Sequence, residues 1–291
     1  LRKELLLKKD SSNSYTYKKR TIKIWNEIAP RYHKRWANAN VGPFQSINHI
    51  SKIISLQNNN RILDLACGTG AIINNITSKD SFTKDKFAVG VDSSFTAINI
   101  AKKQNKANNV EFIVADAETI HFKEKFDLVT CQFALFFFPN AQKTLRNLRK
   151  SIMKDKSSIL ITVHGKRRKV PYFDVILDSV TKFIPDYIPP GTPNLDRFGT
   201  KKSLQNEVKQ AGFSRIKVTE RDFEYSPGTV DDYWRDYLRY VATPLKEKLD
   251  SLSAKQRREL KGTIRDNATP YIQKDKKIIF PWRVLTLTAQ K

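Results

Sequence analysis

At 291 residues, with 40% hydrophobic and 28% charged residues, the chain is long enough for a full globular core, and its composition is not that of a disordered or fibrous protein. No apolar run approaches the roughly 18 residues of a membrane span, and the first nine residues are too briefly apolar for a signal peptide, so a cytoplasmic location is expected. The formal net charge of +24 points toward an anionic partner such as RNA or a lipid surface, and two cysteines exclude a disulfide scaffold.

Residues 1–16 are polar and basic and are expected to fray. Tyr17 to Ala29 predicts a helix, with Ile22, Trp25, Ile28 and Ala29 on one face, interrupted at Pro30 and resumed through Trp36. A turn at Gly42-Pro43 precedes a second amphipathic helix over Phe44 to Leu56.

The stretch Ile62-Leu63-Asp64-Leu65-Ala66-Cys67-Gly68-Thr69-Gly70 is the most informative part of the chain. It is a short buried strand that turns through small residues into a helix, a shape that bares backbone amides to a ligand. A dinucleotide site wants G-x-G-x-x-G, and the third glycine is missing from Gly68-Thr69-Gly70-Ala71-Ile72-Ile73. Asp64 would also repel a pyrophosphate, whereas it would attract an ammonium or sulfonium. That favours S-adenosylmethionine. The P-loop pattern G-x-x-x-x-G-K-S/T is nowhere present.

From Arg61 onward, strands and helices alternate, as in a mostly parallel sheet covered on both faces. Phe87 to Asp92 is the second strand, and Asp92 lies 24 residues after Gly68, near the offset at which an acid meets a ribose. A helix from Ser94 to Asn105 follows, with Asp92 or Ser93 available as its cap. Val110 to Ala117 is the third strand with its turn, and His121 belongs to a surface loop. Phe126 to Gln132 is the fourth strand, followed by a phenylalanine-rich turn and a helix over Ala141 to Met153. Ser158 to His164 is the fifth strand, and Gly165 opens a long excursion. The proline-rich segment 185–199 is a loop, and Lys202 to Gln210 is a helix. Arg215 to Tyr225 and Arg283 to Gln290 alternate as strands. Between them, Val230 to Leu252 predicts one helix bearing Tyr233, Trp234 and Tyr237.

The run D-L-A-C-G-T-G resembles motif I of the class I S-adenosylmethionine-dependent methyltransferases, with Ala66 where many members have a glycine. C-Q-x-x-L-x-F-F-P-N, from Cys131 to Asn140, is similar to the small-molecule group related to ubiquinone and menaquinone biosynthesis. The resemblance implies an α/β, Rossmann-like, seven-stranded sheet in the order 3-2-1-4-5-7-6, with N-terminal helices and a helical insertion before the last strand. Its expected divisions are a cap over 1–56, a cofactor-binding core over 57–225, an insertion over 226–282, and a final strand over 283–291.

The cofactor residues so implied are Tyr32, Asp64, Ala66, Cys67, Gly68, Gly70, Asp92, Ser93, Asp116, Ala117 and Gln132. Among them, Asp116-Ala117 stands where the family meets the adenine ring. Phe136, His164, Tyr233, Trp234 and Tyr237 are the expected walls of an acceptor pocket. His164, at the ligand-binding edge of the sheet, is the one candidate base. No metal site is expected.

The expected reaction is in-line methyl transfer to a small organic acceptor. The absence of an Asn/Asp/Ser-Pro-Pro-Tyr/Phe motif after the fourth strand argues against amino-group nucleic-acid methylation. Thr130-Cys131 lies inside a strand, and two cysteines are too few for arsenite chemistry. An RNA methyltransferase using the basic run 143–169 stays open, as does a cofactor-binding module without activity. Contact of the basic surface with anionic lipid is compatible with the first reading.

Overall fold

Seven strands form one sheet: β1 (Arg61–Leu65), β2 (Phe87–Asp92), β3 (Val110–Val114), β4 (Phe126–Gln132), β5 (Met153–His164), β6 (Ser214–Gly228) and β7 (Ile278–Gln290). Their order in the computed structural model is β3-β2-β1-β4-β5-β7-β6, as the sequence predicts. The structure describes residues 2–36, 39–55, 60–188, 194–240 and 243–291. The first five strands pair in parallel, and β7 runs antiparallel between β5 and β6. Strands in the middle of such a sheet are covered on both faces, which is why Ile62, Leu63 and Leu65 of β1 and Leu128 and Val129 of β4 are all buried. Strand order reverses between β1 and β4, so a crevice opens beyond their carboxyl ends.

Helices α1 (Arg2–Trp36) and α2 (Ser46–Ser55) precede the sheet. The helix extends through the segment expected to fray, and it continues across Pro30. Proline removes one helical hydrogen bond, but contacts on both sides of it hold α1 in place. Asn26 Oδ1 accepts from Ser94 Oγ at 2.8 Å and from the Thr96 amide at 3.1 Å, while His33 Nδ1 lies 3.0 Å from Thr69 Oγ1. Gly42–Gln45 is a 3-10 turn, so α2 starts two residues later than predicted, and Leu56 lies outside the described residues.

The crossovers are α3 (Ala71–Thr77), α4 (Phe95–Gln104) and α5 (Ala141–Asn147). Ser94, rather than Asp92 or Ser93, caps α4, its Oγ accepting from the Ala97 amide at 3.1 Å. After α5 the chain makes a π-helical turn and enters β5 at Met153, five residues before the predicted start.

The excursion after β5 contains an unpredicted helix, α6 (Pro171–Phe183). Its buried Tyr172, Val175, Ile176, Ser179 and Val180 follow helical spacing, with Pro171 at the first turn, so the signal was in the chain. Of the predicted proline-rich loop, 189–193 lie outside the described residues. Helix α7 (Lys201–Gln210) starts at a Thr200–Ser203 capping box. The single helix expected over 230–252 is two, α8 (Val230–Tyr240) and α9 (Thr243–Asp250), and α10 (Ala254–Ala268) follows, capped by Ser253 with Gln256. Strand β7 begins at Ile278, five residues before the predicted strand, and pairs Trp282 with Phe223.

The basic run 143–169 does not form one patch. Strand β5 carries Lys154 and Lys156 near one end and, allowing for the bulge before Ser158, delivers Lys166 to Lys169 beyond the other, roughly 25 Å away at strand rise. Lys154 pairs with Asp127 at 2.9 Å, and Arg167 pairs with Asp174 and Asp178, each at 2.9 Å. Among the described residues no helix is long and apolar enough to cross a membrane. Cys67 and Cys131 are buried free thiols, and burial pushes both above the usual thiol range, with Asp64 adding to each.

Candidate functional site

The turn from β1 into α3 is wound tightly enough to put Ala66, Gly68 and Gly70 in the left-handed region, at φ of 54°, 55° and 83°. Gly68 matters most. A Cβ placed there would meet no atom within 4 Å and would stand in the crevice, so the missing side chain is itself part of a cradle. The backbone is pinned around it: Cys67 N donates to Val91 O at 2.9 Å, and Gly68 N donates to Asp92 Oδ2 at 2.9 Å. The other Asp92 oxygen accepts from Ser94 N at 2.8 Å. A carboxylate has about four acceptor positions, so Asp92 retains capacity for a ligand. Burial raises its pKa, and the Ser94, Gly68 and Ser93 amides oppose that rise.

Asp64 is 2% exposed at the end of β1, and its Oδ1 accepts from Thr130 Oγ1 at 2.6 Å. Among the described residues, it makes no ion pair with a protein cation. Burial pushes its pKa up to about 7; the Thr130 hydroxyl works against this and the nearby Asp92 adds to it. A cation brought beside a buried carboxylate in this condition would favour its ionised form.

Asp116 sits in the turn after β3, where its Oδ1 accepts from the Glu118 amide at 2.9 Å. Its Oδ2 takes Lys18 Nζ, from α1, at 2.8 Å. Helix α1 therefore lies across the crevice as a roof.

These groups surround a cavity of about 160 Å³. Of the residues predicted to bind cofactor, Tyr32, Asp64, Ala66, Cys67, Gly68, Asp92, Ser93, Asp116, Ala117 and Gln132 line it. Gly70 does not: it caps α3, and a Cβ there would meet Phe112 at 3.1 Å. Gln132 Nε2 donates to Ser46 Oγ at 3.1 Å, tying β4 to α2. One wall is aromatic. Trp25 meets Tyr32 edge-on at 5.2 Å and Phe137 at 5.9 Å, and Phe44 meets Tyr32 at 5.9 Å and Phe133 at 5.3 Å. Sequence reading assigned no site role to Lys18, Trp25 or Phe44, although the spacing of Trp25 and Tyr32, seven residues apart on one helix, places them on one face.

The five residues predicted for an acceptor pocket are not brought to this cavity. Phe136 is buried in the core. Tyr233 is fully buried, its hydroxyl donating to the Tyr172 carbonyl. Tyr237 bonds Tyr187 at 2.7 Å between hydroxyls, and Trp234 stacks on Tyr237 at 6.2 Å. These side chains pack α8 against α6 and the β6–β7 edge of the sheet; α8 also touches α1, which lies against α4 and lends residues such as Lys18, Trp25 and Tyr32 to the cavity lining. His164 lies behind the aromatic wall, stacked 4.3 Å from Phe133. Its Nδ1 accepts the Trp282 indole N–H at 2.9 Å, and burial pushes its pKa down to about 3. A proton acceptor at neutral pH needs a free lone pair, and here that lone pair is engaged.

Residues 56–186 match a family described as Methyltransferase domain. A protein of Invertebrate iridescent virus 6 that is named a methyltransferase is 29% identical over 141 residues, covering 48% of this chain and 49% of its own length. The ubiquinone biosynthesis O-methyltransferase of Glaesserella parasuis is 21% identical over 182 residues, covering 60% of this chain and 72% of its own. This chain thus spans about half the length of the viral relative and under three quarters of the bacterial one. In fold, it is similar to an S-adenosylmethionine-dependent methyltransferase from Thiobacillus denitrificans solved with S-adenosylhomocysteine, at a TM-score of 0.51 and 18% identity over 90% of this chain and 96% of that one. The cofactor of this class is S-adenosylmethionine. Taken together, the methyltransferase domain matched over residues 56–186, the strand order and the acid-flanked turn at the switch point are similar to those of the class I S-adenosylmethionine-dependent methyltransferases.

Proposed function

We propose that this protein transfers a methyl group from S-adenosylmethionine to a small organic acceptor. The observation that carries the reading is the side-chain gap at Gly68, held open between Asp64, Asp92 and Asp116 in one cavity. In this reading Asp64 faces the cationic amino acid portion of the cofactor, Asp92 the ribose hydroxyls, and Asp116 with Ala117 the base. The bound cofactor supplies a methyl group already activated by the sulfonium charge.

The chain's own work is then placement and exclusion of water, which supply most of the rate when the donor needs no further activation. Trp25, Tyr32, Phe44, Phe133 and Phe137 form the apolar side against which a small acceptor would lie. The roof over the cleft and the dispersal of the basic run favour a small molecule over RNA.

Calorimetry with S-adenosylmethionine and with NAD tests the cofactor assignment; binding of the first alone is expected. Incubation with labelled cofactor and a panel of amines, phenols and quinones, beside total RNA, tests the acceptor. Label transferred to RNA and to none of the small molecules would overturn the reading.

A further inference from the structure

Helix α1 makes a contact that the cofactor reading leaves unused. Lys18 Nζ reaches Asp116 Oδ2 at 2.8 Å and also pairs with Glu118 Oε2, and all three residues line the cleft. The two acids differ in how firmly they are held. Glu118 is 8% exposed, and its other oxygen accepts from the Asn140 amide at 3.0 Å, which fastens it to the start of α5. The Asp116 side chain is 39% exposed, and its Oδ2 is turned toward the cleft-lining Lys18. Elsewhere α1 is anchored to the rim of the cleft by Asn26 on Ser94 and Thr96 and by His33 on Thr69.

We propose that Lys18 is a positioning residue that clasps α1 over the bound nucleoside, with Glu118 as its standing partner and Asp116 as a partner shared with the base. An ammonium has three donors, so it can keep Glu118 while Asp116 turns one acceptor position to an amino group of the ligand. The inference rests on the reading that the cleft holds the nucleoside. A clasp over a closed site is felt in residence time more than in the rate of encounter.

The test compares the wild type with Lys18→Met, Glu118→Gln, the double variant and Lys18→Arg. Dissociation of S-adenosylhomocysteine is followed through tryptophan fluorescence, to which Trp25 in the wall contributes, and amide hydrogen exchange is read over residues 17–29 without ligand. Each single variant is expected to release ligand about tenfold faster and to exchange faster over 17–29 alone, the double variant being no worse than either single. Lys18→Arg is expected to restore both. Unchanged exchange and release, additive effects in the double variant, or faster exchange across the whole sheet would each overturn the clasp. A wild type that binds no S-adenosylhomocysteine would overturn the nucleoside reading instead, and the exchange measurement would still decide the clasp.

Discussion

Thr130 Oγ1 donates to Asp64 Oδ1 at 2.6 Å, joining the ends of the two strands between which the sheet changes direction. That hydroxyl opposes the burial that raises Asp64 to about 7, so it sets how much of the carboxylate is ionised near neutrality. A cationic ligand favours the ionised form and therefore expels the proton on binding. Affinity for S-adenosylmethionine is expected to fall as pH drops below about 7, by up to about tenfold per pH unit. Calorimetry in buffers of different ionisation enthalpy should register about half a proton released at pH 7. Thr130→Val should weaken binding several-fold at pH 7 and recover at pH 9; a flat pH profile in the wild type would count against Asp64 as the cation seat.

The same group affects stability without ligand. Its folded pKa is raised above the unfolded value, so its contribution is fully present below about pH 4 and is lost as pH rises through about 7. Asp64→Asn should therefore melt higher than the wild type at pH 8, by roughly 1–3 kcal/mol in stability, and show little gain at pH 4. Thermal melts of the ligand-free protein at both pH values decide it. The variant should bind the cofactor poorly at either.

Asp92 holds the Gly68 amide and, in the proposed reading, the ribose. Asp92→Ala removes both acceptors and is expected to weaken S-adenosylmethionine binding at least tenfold in a calorimetric titration, since a charged acceptor of this kind is worth about 1.5–3 kcal/mol. Retained affinity would place the ribose elsewhere.

Two neighbouring positions in the turn should respond in opposite senses. Gly68→Ala adds a methyl group that touches no protein atom but adopts a left-handed φ, at a cost of about 1–2 kcal/mol, and it intrudes on the ligand's space. It should fold and bind poorly. Ala66 already bears that strain at φ 54°, and Ala66→Gly should relieve it, leaving stability unchanged or up to about 1 kcal/mol higher. Chemical denaturation and a binding titration on each variant distinguish the two effects.

Local patterns were sufficient for the sheet. Apolar runs such as Ile62 to Leu65 have to be buried on both faces, and the small residues after them permit only a tight entry into α3. The acids Asp64, Asp92 and Asp116 could be identified for the same reason: each lies at or just beyond the carboxyl end of a strand, and parallel strands deliver those ends to one rim. The aromatic lining of the cavity was not legible, because an aromatic stripe such as Tyr233, Trp234 and Tyr237 has the same spacing whether it lines a pocket or packs in a core. Which helix roofs the crevice depends on contacts between residues far apart in the chain, Lys18 with Glu118 and His33 with Thr69, and neither side chain alone announces its partner. Periodicity and strand ends are properties of neighbouring residues and were fixed by the sequence itself, whereas the choice of α1 over the insertion was made only when long-range packing set Trp25 against Phe137 and Phe44 against Phe133.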